Sequence, residues 1–107
     1  MNINKKIIYE LINKAKQNKM NDIENNFIYA SETIKKTPEN KKISDERKLE
    51  YYSLYKQATI GPCNTDKPWA INVVESAKWN AWNNLNKMSK KDAMIKYCKL
   101  FIEDIKN

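Results

Sequence analysis

Between Tyr51 and Thr59 the chain sets two flat aromatic rings, three hydroxyls and an ammonium on what can be one surface. Tyr52, Tyr55, Lys56 and Thr59 fall at i, i+3, i+4 and i+7, so on a helix they share a face. Rings beside an ammonium can stack on a planar base and neutralise a phosphate. Tyr51, Leu54 and Ala58, at i, i+3 and i+7, form the adjacent stripe that would meet a core. An ordinary amphipathic helix, its tyrosines and lysine simply reaching water, accounts for the same residues. Farther along, Lys78 interrupts an apolar stripe of Val74, Ala81, Trp82 and Leu85. An ammonium there needs an anion, or a stem long enough to carry it back to water. Tyr97 shares a stripe with Ala93, Leu100 and Asp104 and could turn its hydroxyl to solvent or to a ligand.

Composition limits what these groups can do. Twenty Lys plus Arg against thirteen Asp plus Glu give a net charge of +7, which favours an anionic partner: a nucleotide, a nucleic acid or a membrane surface. Arg47 is the only arginine. Base-specific reading of DNA leans on arginine forks and is therefore disfavoured. The chain has no histidine, which removes the commonest general base and metal ligand, and its two cysteines cannot build a usual zinc site. No carboxylate pair with catalytic spacing is evident, so neither a catalytic residue nor a metal site is expected. Cys63 and Cys98 could form one bridge at most. With no apolar leader in view, reduced thiols in the cytoplasm are expected. No run approaches the roughly 18 apolar residues needed to span a bilayer.

The segments that carry these groups read as helices. A chain of 107 residues with one Gly, three Pro and 41% hydrophobic residues suits one small all-α domain. Ile3, Ile7, Ile8, Leu11, Ile12 and Ala15, interspersed with lysines, predict a basic amphipathic helix over 3–20. It could pack on the bundle or lie on an acidic membrane. A helix over 25–36 puts Phe27, Ala30, Ser31 and Ile34 inward, with Lys35 and Lys36 at its negative pole. Pro38 stops it. Ser44, followed by Asp45 and Glu46, opens the tyrosine-bearing helix, and Gly61-Pro62 closes it. Asn72 with Glu75, and Ser89 with Asp92, read as capping pairs for helices over 72–85 and 89–106. Met94, Cys98, Phe101 and Ile105 mark the core stripe of the last one.

Taken in order, Tyr52-Ser53-Leu54-Tyr55-Lys56-Gln57-Ala58-Thr59-Ile60-Gly61, then Asn64-Thr65, Pro68, Ala77-Lys78-Trp79-Asn80-Ala81-Trp82, Ser89-Lys90-Lys91-Asp92-Ala93-Met94 and Tyr97 closely resemble the acyl-CoA-binding protein family. The resemblance covers residues 27–107. It implies an all-α, four-helix up-down-down-up bundle over 26–107, preceded by a basic amphipathic extension over 1–25. It implies non-catalytic, intracellular binding, buffering and transport of medium- to long-chain fatty acyl-CoA, without a cofactor. Carried over by position, the ligand residues are Ser31, Lys35, Tyr52, Tyr55, Lys56, Lys78 and Tyr97. Family members often have a lysine where Val74 stands, so one phosphate contact is missing here or comes from another lysine. Leu54, Ala58, Trp82, Leu85, Met94 and Phe101 remain core.

The resemblance and the residue chemistry meet on one ligand. CoA offers an adenine to the tyrosines and a ribose 3′-phosphate to Lys56 and Lys78, converging from different helices. Burial of the acyl tail adds about 0.8 kcal/mol per CH₂. A monomeric cytoplasmic carrier that binds no nucleic acid, with membrane contact conceivable through residues 1–20, is the expectation. A basic nucleic-acid-binding module or a membrane-recruited adaptor is the alternative.

Overall fold

The computed structural model describes residues 8, 20–36 and 43–105. Its helices are α1 (Met20–Lys35), α2 (Asp45–Thr59), α3 (Val73–Asn83) and α4 (Lys90–Ile105), and no strand occurs among the described residues. The expected helix over 3–20 and the proline stop at 37–40 lie outside the described residues, except for the buried Ile8 and for Met20, which opens α1. That start precedes the expected one because Ile23 belongs to the core as fully as Phe27 and Ala30. The apolar stripe simply begins a turn earlier.

Local chemistry accounts for most helix ends. The Ser44 hydroxyl accepts from the Arg47 amide at 3.1 Å, and Asp45 and Glu46 occupy the first turn of α2, where the helix dipole favours anions. At the other end the amides of Ile60 and Gly61 both donate to the Lys56 carbonyl, with Gly61 at φ +108°, a conformation that costs a side-chain-bearing residue dearly. The Ser89 hydroxyl accepts from the Asp92 amide at 3.0 Å, as the capping pair predicts. Asn72 departs from expectation, since its side chain caps nothing. The chain instead turns just before α3, where the Asn72 amide and the Ser76 hydroxyl both donate to the Trp69 carbonyl, at 2.9 and 3.2 Å.

Contacts between helices fix the topology. Phe27 and Tyr29 of α1 meet Tyr97 and Phe101 of α4 in the same order, so this pair is parallel. Tyr51 donates to Asp104, whereas Gln57 donates to the carbonyls of Asn86 and Met88 just before α4; α2 and α4 are therefore antiparallel. Lys78 lies over Tyr52, and Lys56 over Trp82, which makes α3 parallel to α2. The order is up-down-down-up.

The core runs along α4, where Ala93, Met94, Tyr97, Cys98, Leu100, Phe101 and Ile102 are buried. Ile23, Phe27 and Ala30 close on it from α1, and Tyr51, Leu54 and Ala58 from α2. The expected stripes of α2 and α4 are thus the observed ones, although Ile105 is only partly buried. Arg47 ties the far ends of these two helices together through Asp104 at 3.3 Å and Glu103 at 3.4 Å. The expected apolar face of α3 needs correction. Trp82 is buried there, but Val74 is largely exposed: among the described residues α3 packs chiefly on α2, and its first turn is left in water. Both cysteines are free; burial pushes the Cys98 thiol up to about 12.

Candidate functional site

Helix α2 carries the site, because its two stripes look in different directions. While Tyr51, Leu54 and Ala58 are buried, Tyr52, Tyr55 and Lys56 sit half-buried beside them. Thr59, expected on the same face, is exposed and spends its hydroxyl on the Tyr55 carbonyl at 2.8 Å. Parallel packing of α3 on α2 then brings a second cation to the first. The Lys78 ammonium lies 5.4 Å from the centre of the Tyr52 ring, and the Lys56 ammonium 6.0 Å from the same ring and 5.2 Å from that of Trp82. Two ammoniums from separate helices share one aromatic ring. Lys78 also faces the Glu75 carboxylate at 3.7 Å, a loose and exposed pair.

Trp82 is both core and part of this site. Its ring is buried and its indole N–H donates to the Gly61 carbonyl at 2.9 Å, so the turn that ends α2 is pinned to α3. Its upper face lies beneath Lys56. The sequence assigned it to packing alone; its position four residues after Lys78 was the signal that both belong to one surface. Trp79 similarly donates to the Thr65 carbonyl at 2.9 Å, holding the α2–α3 connection against the helix.

On the α1 side the ammonium of Lys35 lies 4.9 Å from the centre of the Tyr55 ring. Tyr55 packs on Phe27 at 5.7 Å, and Phe27 meets the edge of Tyr97 at 5.2 Å. Lys35, Tyr55, Lys56, Tyr52 and Lys78 therefore follow one another across the bundle from α1 to α3. Ser31 and Tyr97 stand behind this row. Both are buried; the Ser31 hydroxyl donates to the Ile28 carbonyl at 3.1 Å, and the Tyr97 ring sits between Phe27 and Tyr51.

Tyr52 and Tyr97 are held neutral. Burial, then the neighbouring Glu75 and Cys63, push Tyr52 above the ordinary phenol value. Burial does the same more strongly for Tyr97, with Cys98 and Tyr55 adding to it. Near neutral pH Tyr52 thus presents an uncharged O–H donor among ammoniums, a combination suited to a phosphorylated ligand with an aromatic base.

Comparison with known proteins bears on the same arrangement. The family model described as acyl-CoA binding protein matches residues 24–101. The chain belongs to the acyl-CoA-binding protein family. It is 51% identical over 61 residues to the acyl-CoA-binding protein of Dictyostelium discoideum, covering 57% of this chain and 73% of that protein. It is 49% identical over 73 residues to acyl-CoA-binding domain-containing protein 5 of Xenopus tropicalis, covering 66% of this chain but only 16% of that larger protein. Among solved structures, acyl-CoA-binding protein 2 of Oryza sativa superposes with a TM-score of 0.73 at 36% identity, covering 78% of this chain and 89% of the rice chain. The four helices assembled above are thus the acyl-CoA-binding protein fold, and the Tyr52, Lys56 and Lys78 cluster lies within the matched region.

Proposed function

We propose that this chain binds fatty acyl-CoA esters of medium to long chain length without transforming them, and so buffers and carries them as a cytoplasmic monomer. The observation that supports this reading best is the convergence of Lys56 and Lys78 on the ring of Tyr52. In this account the two ammoniums hold the ribose 3′-phosphate and Tyr52 stacks against the adenine. Lys35 and Tyr55 flank the rest of the head group from α1 and α2. Tyr97 and Ser31, both buried, back the site from α4 and α1.

Charge on the head and burial of the tail supply different parts of the affinity. Eight methylenes taken out of water contribute roughly 6 kcal/mol before ordering costs, and the head-group contacts raise the sum toward about −12 kcal/mol, in the nanomolar range. The tail shelters in a groove between helices, since a chain left in water would forfeit that contribution. A nucleic-acid reading rests on the +7 charge and the tyrosine-lysine face, and no further observation favours it. Calorimetric titration with palmitoyl-CoA decides: saturable binding at micromolar concentration or tighter is expected. Absence of heat from a protein that is folded by circular dichroism would refute the proposal.

A further inference from the structure

Four apolar side chains stand in water on the connection between α2 and α3 and on the first turn of α3. Trp69 is 82% exposed, Ile71 84%, Val73 73% and Val74 65%. Their exposure is held in place by the backbone. The Asn72 amide donates to the Trp69 carbonyl at 2.9 Å, the Val73 amide to the Ile71 carbonyl at 3.1 Å, and the Ser76 hydroxyl to the Trp69 carbonyl at 3.2 Å. A fixed turn that presents a tryptophan and three aliphatic side chains outward marks an interaction surface.

We propose that residues 69–74 dock onto an anionic lipid bilayer, entering its interfacial layer. This goes beyond the ligand reading and does not depend on it. The chain carries +7, and Lys67 stands two residues before Trp69, its ammonium 6.0 Å from the centre of the Trp79 ring. Anionic headgroups would meet that charge while the apolar tips sink below them. Tryptophan favours this depth, where its ring lies among acyl chains and its N–H stays wet. A second protein chain fits less well, since four side chains fall short of the roughly 800 Å² that each partner of a standard interface contributes. Val74 lies four residues before Lys78, so docking would bring the lysine-tyrosine row close to the membrane surface.

The test uses the full chain, free of ligand, with vesicles of phosphatidylcholine alone or mixed with phosphatidylserine. Co-sedimentation with the phosphatidylserine vesicles is expected, weaker on phosphatidylcholine alone. The double variant Trp69→Ser, Ile71→Ser should bind the mixed vesicles at least tenfold more weakly while its palmitoyl-CoA affinity stays within twofold. Lys67→Glu, which leaves the apolar side chains intact, should weaken binding to mixed vesicles only. The proposal is overturned if the wild-type chain stays in the supernatant, or if the double variant sediments like wild type, the outcome expected of an anchor elsewhere in the chain. It is also overturned if the double mutation leaves vesicle binding intact but abolishes a dimer or palmitoyl-CoA binding, since the patch then serves a second copy or the acyl tail.

Discussion

Tyr52 is the residue on which the ligand account turns, because it has an ammonium from its own helix and another from α3 within 6.0 Å of its ring centre. Two like charges on one ring repel, and the ring's negative faces offset this only in part. An anion placed between them relieves the repulsion. Lys56→Ala should therefore weaken palmitoyl-CoA binding by roughly 1.5 to 3 kcal/mol, the range for a hydrogen bond to a charged group. Calorimetry on wild type and variant measures it, and an unchanged affinity would remove Lys56 from the site. At this scale the sequence was informative about α2, whose side chains share one helix and whose spacing alone groups them. It said less about Trp82 and Tyr97, since what lies over a ring depends on which helices pack together. Family resemblance, rather than spacing, pointed to Lys35 and Ser31.

Element ends were legible wherever the chemistry is local. Ser44, Gly61 and Ser89 act through groups a few residues away, and each does what its type predicts. Asn72 does not: its side chain makes no cap hydrogen bond, and the chain there turns on the Trp69 carbonyl instead. Val74 misled for a related reason: periodicity finds an apolar face but not whether another helix covers it. Gln57, fully buried, joins the end of α2 to the turn before α4 by donating to Asn86 at 3.0 Å and Met88 at 2.8 Å. Gln57→Ala strands two carbonyls and should cost about 2 to 4 kcal/mol in urea denaturation; a loss under 1 kcal/mol would mean these carbonyls find other partners. At Gly61 an added Cβ would meet only the Lys90 side chain, at an ordinary 3.7 Å. The expected loss of about 1 to 2 kcal/mol for Gly61→Ala is thus one of backbone strain at φ +108°. A variant as stable as wild type would show that the turn relaxes to a negative φ.

At the scale of the whole molecule, α4 is the axis on which α1 and α2 pack, and α3 reaches the bundle through α2. This order could be expected from resemblance but not from composition, which specifies helices and leaves their directions open. The axis also carries a pH dependence. Tyr97 and Cys98 of α4, and Tyr51 of α2 against it, hold their protons more tightly when folded, chiefly because burial disfavours the anion. Such groups contribute stability in full below their unfolded values, and that contribution is lost as pH rises. For Cys98 the window runs from 9.0 to about 12. Melting temperature should therefore fall as pH is raised from 9 toward 11, and Cys98→Ala should fall less steeply. A melting temperature that is flat across this range would contradict the burial assigned to these groups.

Lys56 and Lys78 together hold one phosphate against Tyr52 in the proposed complex, so a ligand without that phosphate is the decisive probe. Palmitoyl-CoA and its analogue lacking the 3′-phosphate would be titrated calorimetrically into the wild-type chain and into Lys56→Ala. Wild type should bind the analogue at least tenfold more weakly, whereas the variant, having lost its part of the phosphate site, should discriminate much less between the two esters. Equal affinity of the wild-type chain for both esters would rule out a phosphate held by these two lysines.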